Sequence, residues 1–124
     1  VAAFDPRDGR YYSCTKVGAG YTDEDLADLT KKLNKLRLKE KHRLVETGMK
    51  PEVWFEPKLV MEVSAAELTV SPIHTAARER IKKGGLALRF PRFLRWREDK
   101  KPTQATTVEE IYNIYRRSRK TKKR

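Results

Sequence analysis

The sequence predicts a small, mainly β domain with one helix set among the strands and a second helix at its end. Three observations carry this expectation. Apolar and polar residues alternate over 53–63, 67–71 and 86–97, and a period of two gives a strand one apolar face. Between residues 26 and 36 the leucines recur at intervals of three and four, the period of a helix. A Thr-x-x-Glu pattern at Thr107–Glu110 then opens a last helix, because each side chain satisfies the other residue's backbone amide.

Taken in order, Val1–Phe4 and Tyr11–Thr15 read as two strands joined by DPRDGR, in which Asp8-Gly9 is a hairpin signal. KVGAG at 16–20 is a glycine-rich connection. A phosphate-cradling loop needs the longer spacing that ends in Gly-Lys-Ser/Thr, so this one reads as a tight turn. Thr22 is placed to cap the first helix, with Asp23, Glu24 and Asp25 against the positive end of its dipole. Leu26, Leu29, Leu33 and Leu36 line one face, which predicts core packing and no chemistry. Lys31, Lys32 and Lys35 fall away from that stripe.

From Val53 the period is two. Val53, Phe55, Leu59, Met61 and Val63 share one face, while Glu56, Lys58 and Glu62 share the other. Pro57 on the apolar face predicts an edge or a bulge. Ser64–Ala66 reads as the turn to a short strand over 67–71, with Leu68 and Val70 inward. RERIKKGG at 78–85 is a basic loop ending in a glycine pair. Next, Leu86, Leu88, Phe90, Leu94 and Trp96 fall on even positions, broken only by Arg92, and Arg89, Arg95 and Arg97 fall on odd ones. That predicts a two-faced strand, bent near Pro91, whose apolar side packs inward while its cations face outward. In the last helix Ile111, Ile114 and Tyr115 are placed inward. The order strand–strand–helix–strand–strand–strand–helix is compatible with a five-stranded OB-like barrel.

At 124 residues the chain fits one domain with a modest core. Its net charge of +12, from 29 Lys+Arg against 17 Asp+Glu, favours a polyanionic partner. The segment RRSRKTKKR at 116–124 holds seven positive charges and no acid, and removing those seven from +12 leaves +5 for the body at 1–115. This basic tail reads either as a solvated end or as a polyanion contact. One cysteine, Cys14, forms no internal disulfide, which points to a reducing compartment. The longest apolar runs are three or four residues, too short for a membrane span or a secretory core. The chain opens without methionine, directly in an apolar stretch, and this predicts the end of a longer polypeptide. Abundant Lys, Arg and Glu with few Asn and Gln lean toward a thermophile.

Machinery for covalent chemistry is missing. His42 and His74 are isolated and lack zinc-ligand spacing, so they read as surface or hydrogen-bonded histidines and no metal ligands are assigned. Cys14 has no activating base nearby in sequence and reads as a buried, inert thiol. PRDG at 6–9 resembles the Lys-x-Asp-Gly motif of nucleotidyl transferases, but Pro6 stands where the nucleophilic amine is needed, which leaves a turn. What remains is the basic strand. Arginine's planar fork matches two phosphate oxygens, and Asp99 stands between Arg97 and Lys100 where it could orient both. By periodicity alone this strand is equally a solvated face.

RFPRFLRWREDKKPTQATT at 89–107 resembles motif VI of ATP-dependent DNA ligases, with the Arg-x-Asp-Lys core at Arg97, Asp99 and Lys100. KVGAGYTDEDL (16–26), KPEVWFEPKLVMEV (50–63) and LTVSPIHT (68–75) are similar to further segments of the same domain in the same order. The archaeal and eukaryotic-type enzymes are the most similar, and RLKEKHRLVETG (37–48) carries no shared motif. The resemblance implies an OB fold and a preceding nucleotidyltransferase domain that supplies the reactive lysine, the adenine pocket and most Mg2+ ligands. It implies that Arg97 and Lys100 contact the β and γ phosphates of ATP, with Asp99 positioning them, during lysine adenylylation. It further implies that the domain then swings round to help clamp nicked duplex DNA. Arg89, Arg92 and Arg95 are the candidates for DNA contact, with ATP and the neighbouring domain open as alternatives for Arg89 and Arg92. Further implied are a monomer in the archaeal cytoplasm or eukaryotic nucleus, and a sliding clamp as a possible partner. Two other readings stay open: a non-catalytic OB module binding single strands, and the related domain of an RNA ligase or capping guanylyltransferase. Trp54 and Phe55 point to opposite faces, so they cannot both be stacking platforms.

Overall fold

The computed structural model describes the backbone of residues 1–122 and the side chains of residues 1–119. The opening hairpin follows its turn chemistry: β1 (Ala2–Asp5) and β2 (Arg10–Ser13) pair antiparallel, with Gly9 at φ 71 in the turn. PRDG is therefore the turn of a hairpin, as expected, and the Asp5 carboxylate accepts from the Arg7 amide and guanidinium. Helix α1 (Asp23–Asn34) starts at Thr22, whose hydroxyl accepts from the Asp25 amide at 3.0 Å while Asp25 accepts from the Thr22 amide at 2.9 Å.

Short strands follow: β3 (Arg37–Leu38) pairs β5 (Trp54–Phe55), and β4 (Val45–Glu46) runs parallel to β2. β6 (Met61–Ser64) pairs β9 (Arg92–Trp96), and β7 (Glu67–Ser71) pairs β8 (Gly85–Arg89) across the short helix α2 (Arg78–Ile81). Single backbone bonds stitch the ladders together. Leu88 donates to Cys14 at 2.7 Å, Thr75 to Ser13 at 3.0 Å and Phe93 to Ala19 at 2.8 Å. Gly85 is held where a Cβ would meet the His74 carbonyl at 2.0 Å, so only glycine lets these segments approach.

Among the described residues nine short strands thus form five ladders in four small sheets, with three α-helices and no closed barrel. The expected long strand over 53–63 is two strands, separated by a stretch containing Pro57, which cannot donate to a ladder. The expected strand over 86–97 is also two, β8 and β9, divided at Phe90–Pro91. The basic loop at 78–85 contains α2.

The core gathers Ala3, Cys14, Leu68, Ala76, Ala77, Leu86, Val108 and Ile111. Helix α3 (Val108–Lys122) closes it against β1 and β7, and Thr107 and Glu110 form the expected capping box. Burial pushes the Cys14 thiol up to about 11, in line with an inert thiol. The histidines are hydrogen-bonded: His74 Nδ1 lies 3.1 Å from Ser13 Oγ, and His42 Nδ1 accepts from the Leu44 amide. Several inward assignments do not hold. No residue of α1 is buried and Leu26 is 47% exposed, because that helix lies beside the core instead of over it. Leu59, Val70 and Ile114 are exposed as well. The basic run continues helix α3 through Lys122, while Lys123 and Arg124 lie outside the described residues. Among the described residues no helix is long and apolar enough to cross a membrane.

Candidate nucleotide and nucleic-acid interface

Strand β9 carries the site, and a register shift sets its geometry. Glu62 faces Arg95 across the ladder and Met61 faces Trp96, but Val63 faces Phe93, so Leu94 is an extra residue on β9. The bulge reverses the alternation. Phe93, an odd position, is buried, whereas Leu94 is 50% exposed. Tyr21 stacks on Phe93 with ring centroids 4.6 Å apart, and Trp96 meets Phe93 edge-on at 5.2 Å. Lys32 of α1 reaches over the Trp96 ring and donates to Glu98 at 3.0 Å, tying that helix to the strand.

Beyond the bulge, the Arg97 amide donates to the Val60 carbonyl at 2.8 Å, which carries the pairing one step further. Arg97 therefore sits diagonal to Glu62, close enough for a long side chain to reach. Its Nη1 donates to Glu62 Oε1 at 3.0 Å. Its Nε and Nη2 donate to the two oxygens of Asp99 at 3.0 and 2.9 Å. Arg95 donates to the same Glu62 oxygen at 3.1 Å. The Arg97 hydrogen bonds hold the Asp99 carboxyl at about 2, and those from Arg95 and then Arg97 hold Glu62 below the carboxylate range. Exposed ion pairs of this kind contribute little stability, so their consequence is orientation.

Arg97 keeps 27% of its side chain exposed and has five N–H donors. Three are engaged, which leaves one each on Nη1 and Nη2 for an anionic partner. Lys100 follows in a turn closed by its amide on the Arg97 carbonyl at 3.1 Å, and its ammonium has no partner among the described residues. Asp99 thus holds Arg97 directly; toward Lys100 it acts only through charge.

The other predicted cations are spread along the same edge. Arg89 reaches Glu67 at 3.4 Å and lies over the Phe90 ring, and Arg92 is exposed. Between them, Phe90 was expected inward and is instead 68% exposed at φ 55. The chain leaves one ladder for another within two residues, and the left-handed conformation of Phe90 makes that corner. Sequence reasoning missed Glu62 and Glu67 as partners because each is paired across strands. Their polar-face phase was visible, but the pairing was not.

Among the described residues no group of three His, Cys, Asp or Glu is able to hold a metal ion. The fold and site define a small β domain with a clamped cationic edge and no reactive lysine in its PRDG turn. Residues 1–100 match the family described as the ATP dependent DNA ligase C terminal region, and the chain belongs to that family. It is 49% identical over 118 residues to a DNA ligase of Hyperthermus butylicus and 45% identical over 124 residues to one of Caldivirga maquilingensis. It is 43% identical over 123 residues to one of Saccharolobus shibatae. These alignments cover 94%, 98% and 98% of the chain but 19%, 21% and 20% of the relatives, so it spans about a fifth of their length. The expected family membership is borne out.

Proposed function

We propose that this chain is the OB-like domain of an ATP-dependent DNA ligase, and that it serves lysine adenylylation by presenting Arg97 and Lys100 to the β and γ phosphates of ATP. The observation that carries this reading is Arg97, fixed by Asp99 and Glu62 with two donors to spare, in one turn with Lys100, whose ammonium has no partner among the described residues. In the reaction a lysine amine from the remainder of the enzyme forms a bond to the α phosphorus as the bond to pyrophosphate breaks. Negative charge builds on the departing group, and a preoriented cation there lowers the barrier without reorganising. Arg97 orients and Lys100 neutralises. ATP brings Mg2+ with it, and on this reading the ion's ligands belong to the nucleotidyltransferase domain and the triphosphate.

The same edge supports a role in holding nicked duplex DNA. Arg89 and Arg92 flank Phe90, whose strained backbone holds an apolar ring out in water, as functional positions do. Arg95 lies on β9 with Arg92 and shares Glu62 with Arg97. The ligase's own nucleotidyltransferase domain is the partner that must close over this edge, and the archaeal relatives support a cytoplasmic enzyme. In the full-length ligase, Arg97→Ala is expected to slow self-adenylylation by about 10²–10³. Sealing of a pre-adenylylated nick should fall far less. Equal losses in both steps would contradict the role.

A further inference from the structure

A second cationic surface lies on other elements, in a groove of about 390 Å³ between β7, α2 and α3. Tyr112, Tyr115, Arg116 and Arg119 recur at intervals of three and four, so they share one face of α3. Arg80 and Lys83 face them, and Val70 and Ile81 form the apolar floor. Exposure of Val70, which an inward-facing strand residue would not show, is what leaves the groove open.

The cations in this groove are held by rings. Arg80 and Arg116 lie over Tyr112 at 4.8 and 5.8 Å, and Arg119 lies over Tyr115 at 5.7 Å while donating to its hydroxyl at 3.1 Å. Arg80 also pairs with Glu109 at 2.7 Å. Lys83, Arg116 and Arg119 have no carboxylate partner among the described residues. Three uncompensated charges therefore share one face with tyrosine rings already covered by guanidinium groups. Covered rings are poor platforms for unstacked bases. A row of uncompensated cations suits a phosphate backbone, where no internal ion pair must first break.

Resting on the ligase reading above, we infer that this groove binds the phosphate backbone of duplex DNA, apart from the Arg97 edge and without regard to the nick. The ligand class is a double-stranded polyanion read by charge, not by base edges. Each phosphate contact releases condensed counterions, so the groove must contribute to the salt dependence of binding.

The test uses the full-length ligase with the double change Arg116→Gln and Arg119→Gln. Affinities for a nicked and an intact 30-base-pair duplex are measured across a potassium chloride series. The slope of log affinity against log salt is expected to shrink by about two for both duplexes, since each lost contact removes roughly 0.9. The charge-preserving pair Arg116→Lys and Arg119→Lys is expected to restore it, which separates charge from folding. An unchanged slope in the glutamine variant would overturn the inference. So would a defect in self-adenylylation with the DNA slope intact, the mark of an acidic protein surface in the groove. A parent enzyme that fails to bind nicked duplex at all would instead sink the ligase reading.

Discussion

The arginines of β9 and those of α3 are held in opposite ways. At the end of β9, Arg95 and the following Arg97 share Glu62, and Asp99 grips Arg97 from the other side, so the four charges sum to zero. On α3, Arg116 and Arg119 rest on tyrosine rings and keep their full charge. A carboxylate clamp fixes direction at the expense of field; a ring supports the side chain and leaves the field intact. The first suits a reacting phosphate that needs a donor at one place. The second suits a long polyanion drawn in from a distance.

The largest effect that sharpens this contrast comes from Glu62. Glu62→Gln keeps the shape but removes the charge shared by Arg95 and Arg97. Self-adenylylation is expected to slow by roughly 10–100-fold through misplacement of Arg97, with Glu62→Asp in between. Single-turnover rates at saturating ATP check this, and a rate equal to the parent's would show that the clamp does not orient Arg97.

A smaller effect falls at the corner. Phe90→Gly relieves the cost of a left-handed conformation unsuited to an aromatic residue and should stabilise the chain by about 1 kcal/mol. Thermal melting of the chain should rise by a few degrees, about what such an increment gives for a domain of this size. Binding of nicked duplex should weaken at the same time. A variant that is both less stable and no weaker in binding would remove Phe90 from the interface.

The smallest effect is in acid. Arg97 holds Asp99 at about 2, below its usual 3.8, so the pair's contribution is present above pH of about 4 and disappears as pH falls toward 2. The stability difference between the parent and Asp99→Asn should close over that window in chemical denaturation. A difference that persists below pH 2 would mean that Asp99 acts by something other than its charge.

What was legible in the sequence was local. The Asp8-Gly9 hairpin, the caps at Thr22 and Thr107, and the Asp99 that grips Arg97 all lie within three residues of what they bind. The Glu62–Arg97 bond joins residues 35 apart and needed the β6–β9 register, with a bulge no alternation pattern reveals. That bulge also explains why even-numbered Leu94 is exposed and odd-numbered Phe93 buried. The leucine stripe of α1 was over-read for a related reason. Periodicity shows that a face is apolar, not what covers it, and in this chain the core is filled by α3 instead. The groove on α3 is not legible in the sequence because Arg116 and Arg119 lie in the basic run at 116–124 while Arg80 and Lys83 come from the loop at 78–85.

The most direct test crosses both regions with both steps in the full-length ligase. Arg97→Ala should lose more in self-adenylylation than in the salt slope of duplex binding, and the Arg116→Gln, Arg119→Gln pair should show the reverse order. If both variants lose chiefly in the same step, clamped and ring-held arginines do not divide the work and the account fails.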